Sequence, residues 1–188
     1  KLWLGGKMTS QSVTKRDDYR VLIYSHDSFG LGHLRRCRAI AHYLVGSYNK
    51  LSVLILSGSP IIGSFDFRAR VDFVRVPGVI KLRNGDYTPL NLHLDIEKTM
   101  ELRGSIIQHT ADVFDPDIFI VDKEPLGLRG EVAETLQMLK QRGTSLVLGL
   151  RDVMDEPALL VPEWERKNVL PALEDLYDEL WVYGLPQV

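Results

Sequence analysis

Short, continuous apolar runs alternate along the chain with longer stretches in which apolar residues recur every three or four positions. Runs rich in β-branched and aromatic residues are typical of strands buried on both faces of a parallel sheet. They predict six strands, at residues 21–25, 51–57, 71–76, 117–122, 144–150 and 179–183. Because predicted helices separate these strands, the pattern indicates one doubly wound, Rossmann-like α/β domain with strand order 3-2-1-4-5-6.

Helical spacing predicts helices over residues 33–45, 95–114, 129–142 and 163–177, with Asp95 capping the second. The stripe predicted to face the sheet in the first helix is Leu34, Cys37, Ala41 and Leu44. In the second helix it is Ile96, Met100, Ile106, Ile107 and Val113. Residues 78–94 follow neither period and contain the turn signal Asn84-Gly85-Asp86, so a long irregular loop is predicted there.

Composition narrows the function classes. The 188 residues suit one domain, predicted at 20–188 after a flexible tail at 1–19 in which Met8 is a candidate native start. A net charge of −2 gives no reason to expect a nucleic-acid partner. The single cysteine excludes an internal disulfide and a cysteine-rich zinc site, and points to a reducing, cytoplasmic location. No apolar run approaches the roughly 18–20 residues that span a bilayer, so membrane contact is expected to be peripheral at most.

The turn between the first strand and the first helix is the most informative stretch. Backbone N–H groups at a helix start bind anions, and Gly30 and Gly32 let the backbone approach a ligand closely. His33 follows at once, and histidine is the side chain best suited to proton transfer near neutral pH. Arg36 adds a candidate for charge-assisted bonds to a diphosphate. The alternative is a tight turn in which the histidine serves only as a cap.

A nicotinamide site is disfavoured. Arg35 stands where a dinucleotide fingerprint has its third glycine, and no acidic residue follows the second strand plainly. No histidine pair has metal-ligand spacing either. We therefore expect neither a cofactor nor a metal.

Further polar residues follow other strands at the same predicted edge of the sheet. Asp122, Lys123 and Arg129 follow the fourth strand and Arg151 ends the fifth, so they are candidates for orienting a substrate. The alternative for each is a solvated loop or a local ion pair. The loop at 78–94 is a candidate acceptor lid through Lys81, Arg83, Tyr87 and His93. Its apolar residues Val79, Ile80 and Leu82 are candidates for touching a lipid carrier, although a plain mobile loop is the simpler interpretation.

Residues 30–37, Gly-Leu-Gly-His-Leu-Arg-Arg-Cys, resemble the Gly-x-Gly-His loop of GT-B glycosyltransferases of the MurG type. The resemblance is strongest at Gly30, Gly32 and His33. It implies two Rossmann-like domains around a cleft, of which the first takes the acceptor and the second holds the UDP-sugar. Such loops usually carry a proline where Arg36 stands, so their acceptor site is not carried over intact. We expect the donor-binding domain to lie outside these residues, and residues 1–188 alone to have no turnover.

The same loop is similar to that of the UDP-sugar hydrolase of pseudaminic acid synthesis, at Gly30, Gly32, His33, Arg36 and Cys37. That resemblance implies a histidine that activates water. Residues 122–130 also resemble a group of predicted glycosyltransferases without an assigned substrate.

The favoured hypothesis is sugar transfer from a nucleotide-sugar donor to the hydroxyl of a sugar, lipid-linked or small-molecule acceptor, with inversion implied by the resemblance. His33 is then a base or a phosphate-orienting group. The helix start with Gly30 and Gly32 holds anionic groups, supported by Asp27, Ser28 and Arg36. The alternatives are a UDP-sugar hydrolase and a non-catalytic domain that binds a phosphate-bearing ligand or a partner protein. We expect a cytoplasmic protein, and contact with a lipid carrier through the loop at 78–94 would place it at the inner face of the membrane.

Overall fold

A computed structural model describes residues 16–26, 31–151 and 169–184. Its main sheet consists of β1 (Tyr19–Tyr24), β2 (Leu51–Ser57), β3 (Val71–Arg75), β6 (Ile118–Asp122), β7 (Ser145–Arg151) and β8 (Glu179–Tyr183). A hairpin is formed by β4 (Val79–Lys81) and β5 (Tyr87–Pro89). The described helices are α1 (Gly32–Ser47), α2 (Ile96–Phe114), α3 (Ala133–Gln141) and α4 (Val169–Leu176). Two 3-10 turns lie at Ile62–Ser64 and Leu128–Gly130.

The sheet order is β3-β2-β1-β6-β7-β8 and every pairing in it is parallel, which confirms the predicted doubly wound fold. Strand β1 pairs on one side with β2 and on the other with β6, so that Val21 lies between Val53 and Ile118. The chain therefore winds outward in opposite directions from the β1–β6 seam. In open α/β sheets a ligand crevice forms at the carboxyl ends of the strands at this point.

Two apolar layers cover the two faces of the sheet. Alternate strand residues such as Val21 and Ile23 pack against the buried side of α1, whereas Leu22 and Phe119 pack against α2 and α3. Burying each such side chain contributes roughly 1.5–3 kcal/mol. The alternation explains why the strands are apolar at nearly every position, as the sequence predicted.

The segment at 78–94 differs from the predicted irregular loop, because it contains the β4–β5 hairpin. The turn signal closes this hairpin. Gly85 has the left-handed φ of 93° that glycine adopts without strain, and the Asn84 side chain accepts a hydrogen bond from the backbone N–H of Asp86. Val79 is only 8% exposed, which corrects its assignment as an exposed lipid contact, while Leu82 is exposed as predicted.

Helix α2 begins as predicted, with the Asp95 carboxylate accepting from the backbone N–H of Lys98 at 2.6 Å. Its buried stripe differs from the predicted one and consists of Thr99, Arg103, Ile107 and Ala111. Val113, predicted to face the sheet, is 68% exposed. The residues of this stripe are four positions apart, and one of them is an arginine that lies among buried side chains.

Two further details differ from the predictions, and a third prediction lies partly outside the described residues. Helix α1 buries Val45 more completely than Leu44, and Cys37 is a core residue as expected. Helix α3 starts at Ala133 instead of Arg129, because Arg129 and Gly130 have positive φ and form a turn before it. Of the predicted helix at 163–177, only the part from Val169 lies among the described residues.

The predicted tail lies mostly outside the described residues, and its last part contacts the domain. Arg16 forms ion pairs with Asp115 at 3.0 Å and with Asp117 at 3.2 Å. Within the described parts of the chain, no helix combines the length and the apolar character needed to cross a membrane.

Candidate active site

His33 and Asp122 meet at the carboxyl edge of the sheet. His33 lies in the first turn of α1, directly after the β1 turn, and Asp122 is the last residue of β6. Because β1 and β6 are adjacent parallel strands, both residues reach the same edge. The Nδ1 atom of His33 lies 2.5 Å from Oδ2 of Asp122, and the Asp122 side chain is 2% exposed. A short hydrogen bond therefore joins an imidazole to a buried carboxylate.

This contact fixes the tautomer of His33. A carboxylate only accepts hydrogen bonds, so Nδ1 must carry the proton that it donates to Asp122. In the neutral imidazole Nε2 is then unprotonated and able to take a proton. The His33 side chain is 16% exposed, which leaves it accessible from the crevice. The His33–Asp122 pair has the form of a general base held by a carboxylate.

Arg36 occupies the other oxygen of the same carboxylate. Its Nη2 and Nε donate to Oδ1 of Asp122 at 2.6 and 3.2 Å. The same Nη2 lies 3.0 Å from Nδ1 of His33, and since that nitrogen already carries a proton, this is a close contact and not a hydrogen bond. Arg36 compensates the buried charge of Asp122 and fixes the plane of its carboxylate.

Tyr183, at the end of β8, packs against Arg36. The guanidinium carbon of Arg36 lies 5.0 Å from the centre of the Tyr183 ring, a cation–π distance. The ring lies directly over Gly149 of β7, where an added Cβ would come within 2.0 Å of the phenol oxygen. Burial, followed by the Asp122 carboxylate, raises the pKa of Tyr183. Tyr183 therefore packs, as a neutral phenol, against the arginine that contacts Asp122.

An open pocket of about 300 Å³ lies at the same edge of the sheet. Its described lining residues are His26, Tyr87, Glu124, Pro125, Leu126, Gly127, Leu128, Arg129 and Gly130. His26 follows β1 and is buried, and the centre of its ring lies 5.8 Å from that of His33 in an edge-on arrangement. The pocket thus opens near the β1–β6 seam, and its described lining includes His26 but neither His33 nor Asp122.

A buried ion pair supports the wall of this pocket. Arg103 donates from Nε and Nη2 to the two carboxylate oxygens of Glu131 at 2.7 and 2.6 Å, and from Nη1 to the carbonyl of Pro77 at 2.5 Å. The Tyr24 hydroxyl donates to Glu131 at 2.6 Å and accepts from the backbone N–H of Leu128 at 3.0 Å. Burial and then the Glu131 carboxylate raise the pKa of Tyr24 well above its usual range. The network ties the loop at 124–130 to the segment that precedes the hairpin.

The other predicted site residues are distributed along the same edge. Asp27, Ser28 and Gly30 lie outside the described residues. Gly32 begins α1 and does not have a left-handed φ. An added Cβ there would meet no described atom within 4 Å, so the described structure does not require a glycine at this position. Among the described contacts, Lys123 and Arg151 are exposed and form no hydrogen bond or ion pair with the His33–Asp122 pair through their side chains.

Arg129 lines the pocket, and its conformation differs from that of ordinary loop residues. Its φ is 50°, and Lys123 has a φ of 71°, both in the left-handed region that costs a residue with a side chain free energy. The Arg129 guanidinium lies 3.5 Å from the exposed Glu97 carboxylate, a weak surface pair. Strained backbone of this kind gathers at functional loops.

Sequence reasoning missed three residues that shape the site. Tyr183 was predicted only as part of a strand, although its place at the carboxyl end of β8 puts it at the same edge as Asp122. Arg103 and Glu131 were not singled out at all. A charged residue within an apolar helical stripe was the available signal for Arg103, since a buried arginine requires a partner.

Among the described residues no group of three or more histidine, cysteine, aspartate or glutamate side chains is arranged to hold a metal ion.

Comparisons with known proteins add little at the level of sequence. No protein-family model and no curated protein matches the chain. Among solved structures the chain is similar to a UGT transferase from Siraitia grosvenorii crystallised with UDP, with a TM-score of 0.46 and 18% identity. The match covers 71% of this chain and 28% of the transferase, so the chain spans well under half of that protein's length.

Proposed function

We propose that this domain is the acceptor side of a glycosyltransferase that moves a sugar from a nucleotide-sugar donor to an acceptor hydroxyl. The observation that carries the proposal is the 2.5 Å contact between Nδ1 of His33 and the buried carboxylate of Asp122. A hydroxyl is a poor nucleophile until a base takes its proton, and this arrangement supplies a base with a fixed tautomer. The MurG-type pattern at Gly30, Gly32 and His33 supports a sugar as the transferred group.

The proposed step uses Nε2 of His33 as the base. The acceptor oxygen attacks the anomeric carbon of the donor while Nε2 of His33 takes the hydroxyl proton. The bond between the anomeric carbon and the phosphate oxygen breaks, and its electron pair leaves with the nucleoside diphosphate. Attack from the side opposite the leaving group inverts the anomeric centre. Asp122 stabilises the imidazolium that forms, and Arg36 holds Asp122 in place.

The leaving diphosphate needs positive charge nearby. The first turn of α1 contains no acidic residue and carries the positive end of the helix dipole. Arg35 is exposed in the same turn and adds a full positive charge. In this proposal a second domain holds the nucleotide, so the chemistry requires both sides of the cleft.

A nucleotide-sugar hydrolase is the second candidate, and the same contact favours it. The His33–Asp122 pair activates water as readily as it activates an acceptor hydroxyl. A non-catalytic binding domain is the third, and it requires no fixed tautomer at His33. A glycosyltransferase releases the nucleotide only when an acceptor is present, whereas a hydrolase releases it without one. A binding domain releases no nucleotide.

The test uses the full-length protein and a panel of UDP-, dTDP- and GDP-sugars, with and without cell extract as the source of acceptor. Nucleotide release that depends on acceptor and collapses in His33→Ala is the expected result. Release that needs no acceptor and is equally sensitive to His33→Ala assigns the hydrolase. No release from any donor, with properly folded protein, overturns both enzymatic functions. His109→Ala, which changes an exposed histidine on α2, is the matched control.

A further inference from the structure

The segment that leads into β3, residues 65–70, is joined to α1 by two hydrogen bonds with side chains of the helix. Arg38, on α1, donates from Nε to the backbone carbonyl of Asp66 at 2.7 Å. The backbone N–H of Arg68 donates to Nε2 of His42 at 3.2 Å. Because Arg38 and His42 are four residues apart on α1, they lie on one side of the helix and hold the segment at two successive turns.

The hydrogen bond from Arg68 defines the protonation state of His42. A backbone N–H donates and does not accept, so Nε2 of His42 must carry no proton, and the proton of the neutral ring lies on Nδ1. An imidazolium carries protons on both nitrogens and accepts no hydrogen bond. Protonation of His42 therefore breaks this contact and brings two N–H groups face to face.

The charges around His42 oppose its protonation as well. The cations that act on it are Arg38, from α1, and Arg68, from the segment at 65–70. Burial, followed by these two guanidinium groups, lowers the pKa of His42. Asp66 is the acidic residue of the segment and is exposed, so water screens its charge. An imidazolium at His42 would be a third positive charge beside two arginines.

Aromatic rings pack around the same contact. The His42 ring lies edge-on to Phe67, with 6.2 Å between the ring centres, and Phe67 lies 5.4 Å from Phe73 of β3. Phe65 and Phe67 are partly buried against the apolar layer on the α1 side of the sheet. The contribution of β3 to this contact is thus apolar, and the charges that oppose an imidazolium come from the two arginines.

The backbone at the end of the segment needs support from α1. Arg70 has a φ of 70°, in the left-handed region that a residue with a side chain adopts at a cost in free energy. Its guanidinium donates to the carbonyls of Val45, Tyr48 and Leu51, at the end of α1 and the start of β2. A segment that combines unfavourable backbone with exposed hydrogen bonds is of the kind that opens locally before the rest of a domain unfolds.

We propose that His42 is an acid-sensitive contact, which holds the segment at 65–70 on α1 when it is neutral and releases the segment when it is protonated. A histidine in an unfolded chain titrates near pH 6.5. Because the pKa of His42 is lowered in the folded state, the contact contributes fully above about pH 6.5 and is lost as the pH falls below that value. The contact does not involve His33, so it stands whether or not the proposed function does.

The test measures hydrogen-exchange protection of the Arg68 amide by NMR, on the full-length protein, at about pH 7.5 and about pH 5. Protection is expressed relative to an unstructured chain at each pH, so that the intrinsic pH dependence of exchange cancels. The protection of Arg68 is expected to fall by about two- to tenfold on acidification, the effect of one hydrogen bond. The amide of Leu22, in the central strand β1, is expected to keep its protection. Nitrogen shifts of the His42 ring are expected to show the proton on Nδ1 at the higher pH.

Two variants separate this contact from general effects of acid. His42→Gln keeps an acceptor oxygen that does not titrate, and His42→Ala removes the acceptor, so in both variants the protection of Arg68 is expected to be independent of pH. His109→Gln, at an exposed histidine of α2, is expected to behave as the unchanged protein does. An Arg68 amide that is equally protected at both pH values, or that loses protection equally in His42→Gln, overturns the inference. A proton on Nε2 of His42 at the higher pH also overturns it.

Discussion

Asp122 places one carboxylate oxygen 2.5 Å from Nδ1 of His33 across 89 residues of sequence. The two residues come from different halves of the sheet and meet at the seam between them. Their contact assigns the proton of a neutral His33 to Nδ1 and leaves Nε2 for the proposed role as a base.

Replacing Asp122 by Asn is expected to lower kcat of the full-length enzyme by about 10²- to 10⁴-fold, because the amide can hold the wrong tautomer of His33. KM for the donor is expected to change little. Steady-state kinetics across pH are the measurement. Asp66→Asn, at an exposed aspartate, is the control. An Asp122→Asn enzyme with an unchanged rate would show that His33 does not act through this carboxylate.

Replacing Arg36 by Lys is expected to lower kcat by about 10- to 100-fold, the loss of one charged hydrogen bond worth roughly 1.5–3 kcal/mol. Lysine cannot supply two nitrogens to Asp122, nor stack its charge flat on Tyr183. Arg35→Lys changes the neighbouring, exposed arginine and is expected to leave the position of Asp122 unaffected. Equal losses of kcat in Arg36→Lys and Arg35→Lys would mean that the hydrogen bonds from Arg36 to Asp122 do not contribute to the rate.

Replacing Glu131 by Gln is expected to lower the free energy of unfolding by about 3–5 kcal/mol, because it leaves the buried Arg103 charge without its partner. Chemical denaturation followed by circular dichroism measures this. Glu97→Gln breaks an exposed pair and is expected to change stability by less than about 1 kcal/mol. Similar values for the two variants would mean that water reaches Arg103.

Replacing Gly149 by Ala is expected to cost about 1–3 kcal/mol of stability, because the Tyr183 ring must move away from the new methyl group. The cost is expected to fall in the Tyr183→Ala background, where that space is empty. Gly32→Ala, which meets open space, is the control. The same cost in both backgrounds would place the strain somewhere other than this ring.

One buried and two half-buried phenols predict a loss of stability at high pH. Burial raises the pKa of Tyr24, Tyr177 and Tyr183, so these groups stay protonated in the folded state when an unfolded tyrosine ionises near pH 10. Their contribution is complete below about pH 10 and is lost as pH rises above it. Between pH 9 and 11.5 the free energy of unfolding, measured by chemical denaturation, is expected to fall less steeply in Tyr177→Phe than in the unchanged protein. Spectrophotometric titration in which every tyrosine of the native protein ionises together would contradict this.

Most of the fold could be predicted from the sequence because short apolar runs are typical of buried strands and apolar residues at helical spacing are typical of helices. Apolar runs at β2 and β8 gave the strand bounds, and the cap at Asp95 gave the start of α2. His33 and Asp122 could be placed at one edge, since parallel strands share it. Their contact could not, because a side-chain distance depends on how α1 sits on the sheet.

The missed residues depend on partners that are distant in sequence. Arg103 is buried only because Glu131, 28 residues later, and the Pro77 carbonyl, 26 residues earlier, both meet it. The helical stripe around Arg103 indicates that it is buried, but nothing next to it in the sequence identifies these two partners. The hairpin at 78–94 was hidden for another reason, since its strands have only three residues each.

The pairing of β1 with β6 also determines when, during synthesis of the chain, His33 acquires its partner Asp122. A chain emerging from the ribosome presents the imidazole of His33 long before β6 has been made. Until β6 docks, either ring nitrogen of His33 can carry the proton, and the nascent domain holds no oriented base. The His33–Asp122 contact therefore forms only when the two halves of the sheet have joined, and under the proposed function the base is oriented at that moment.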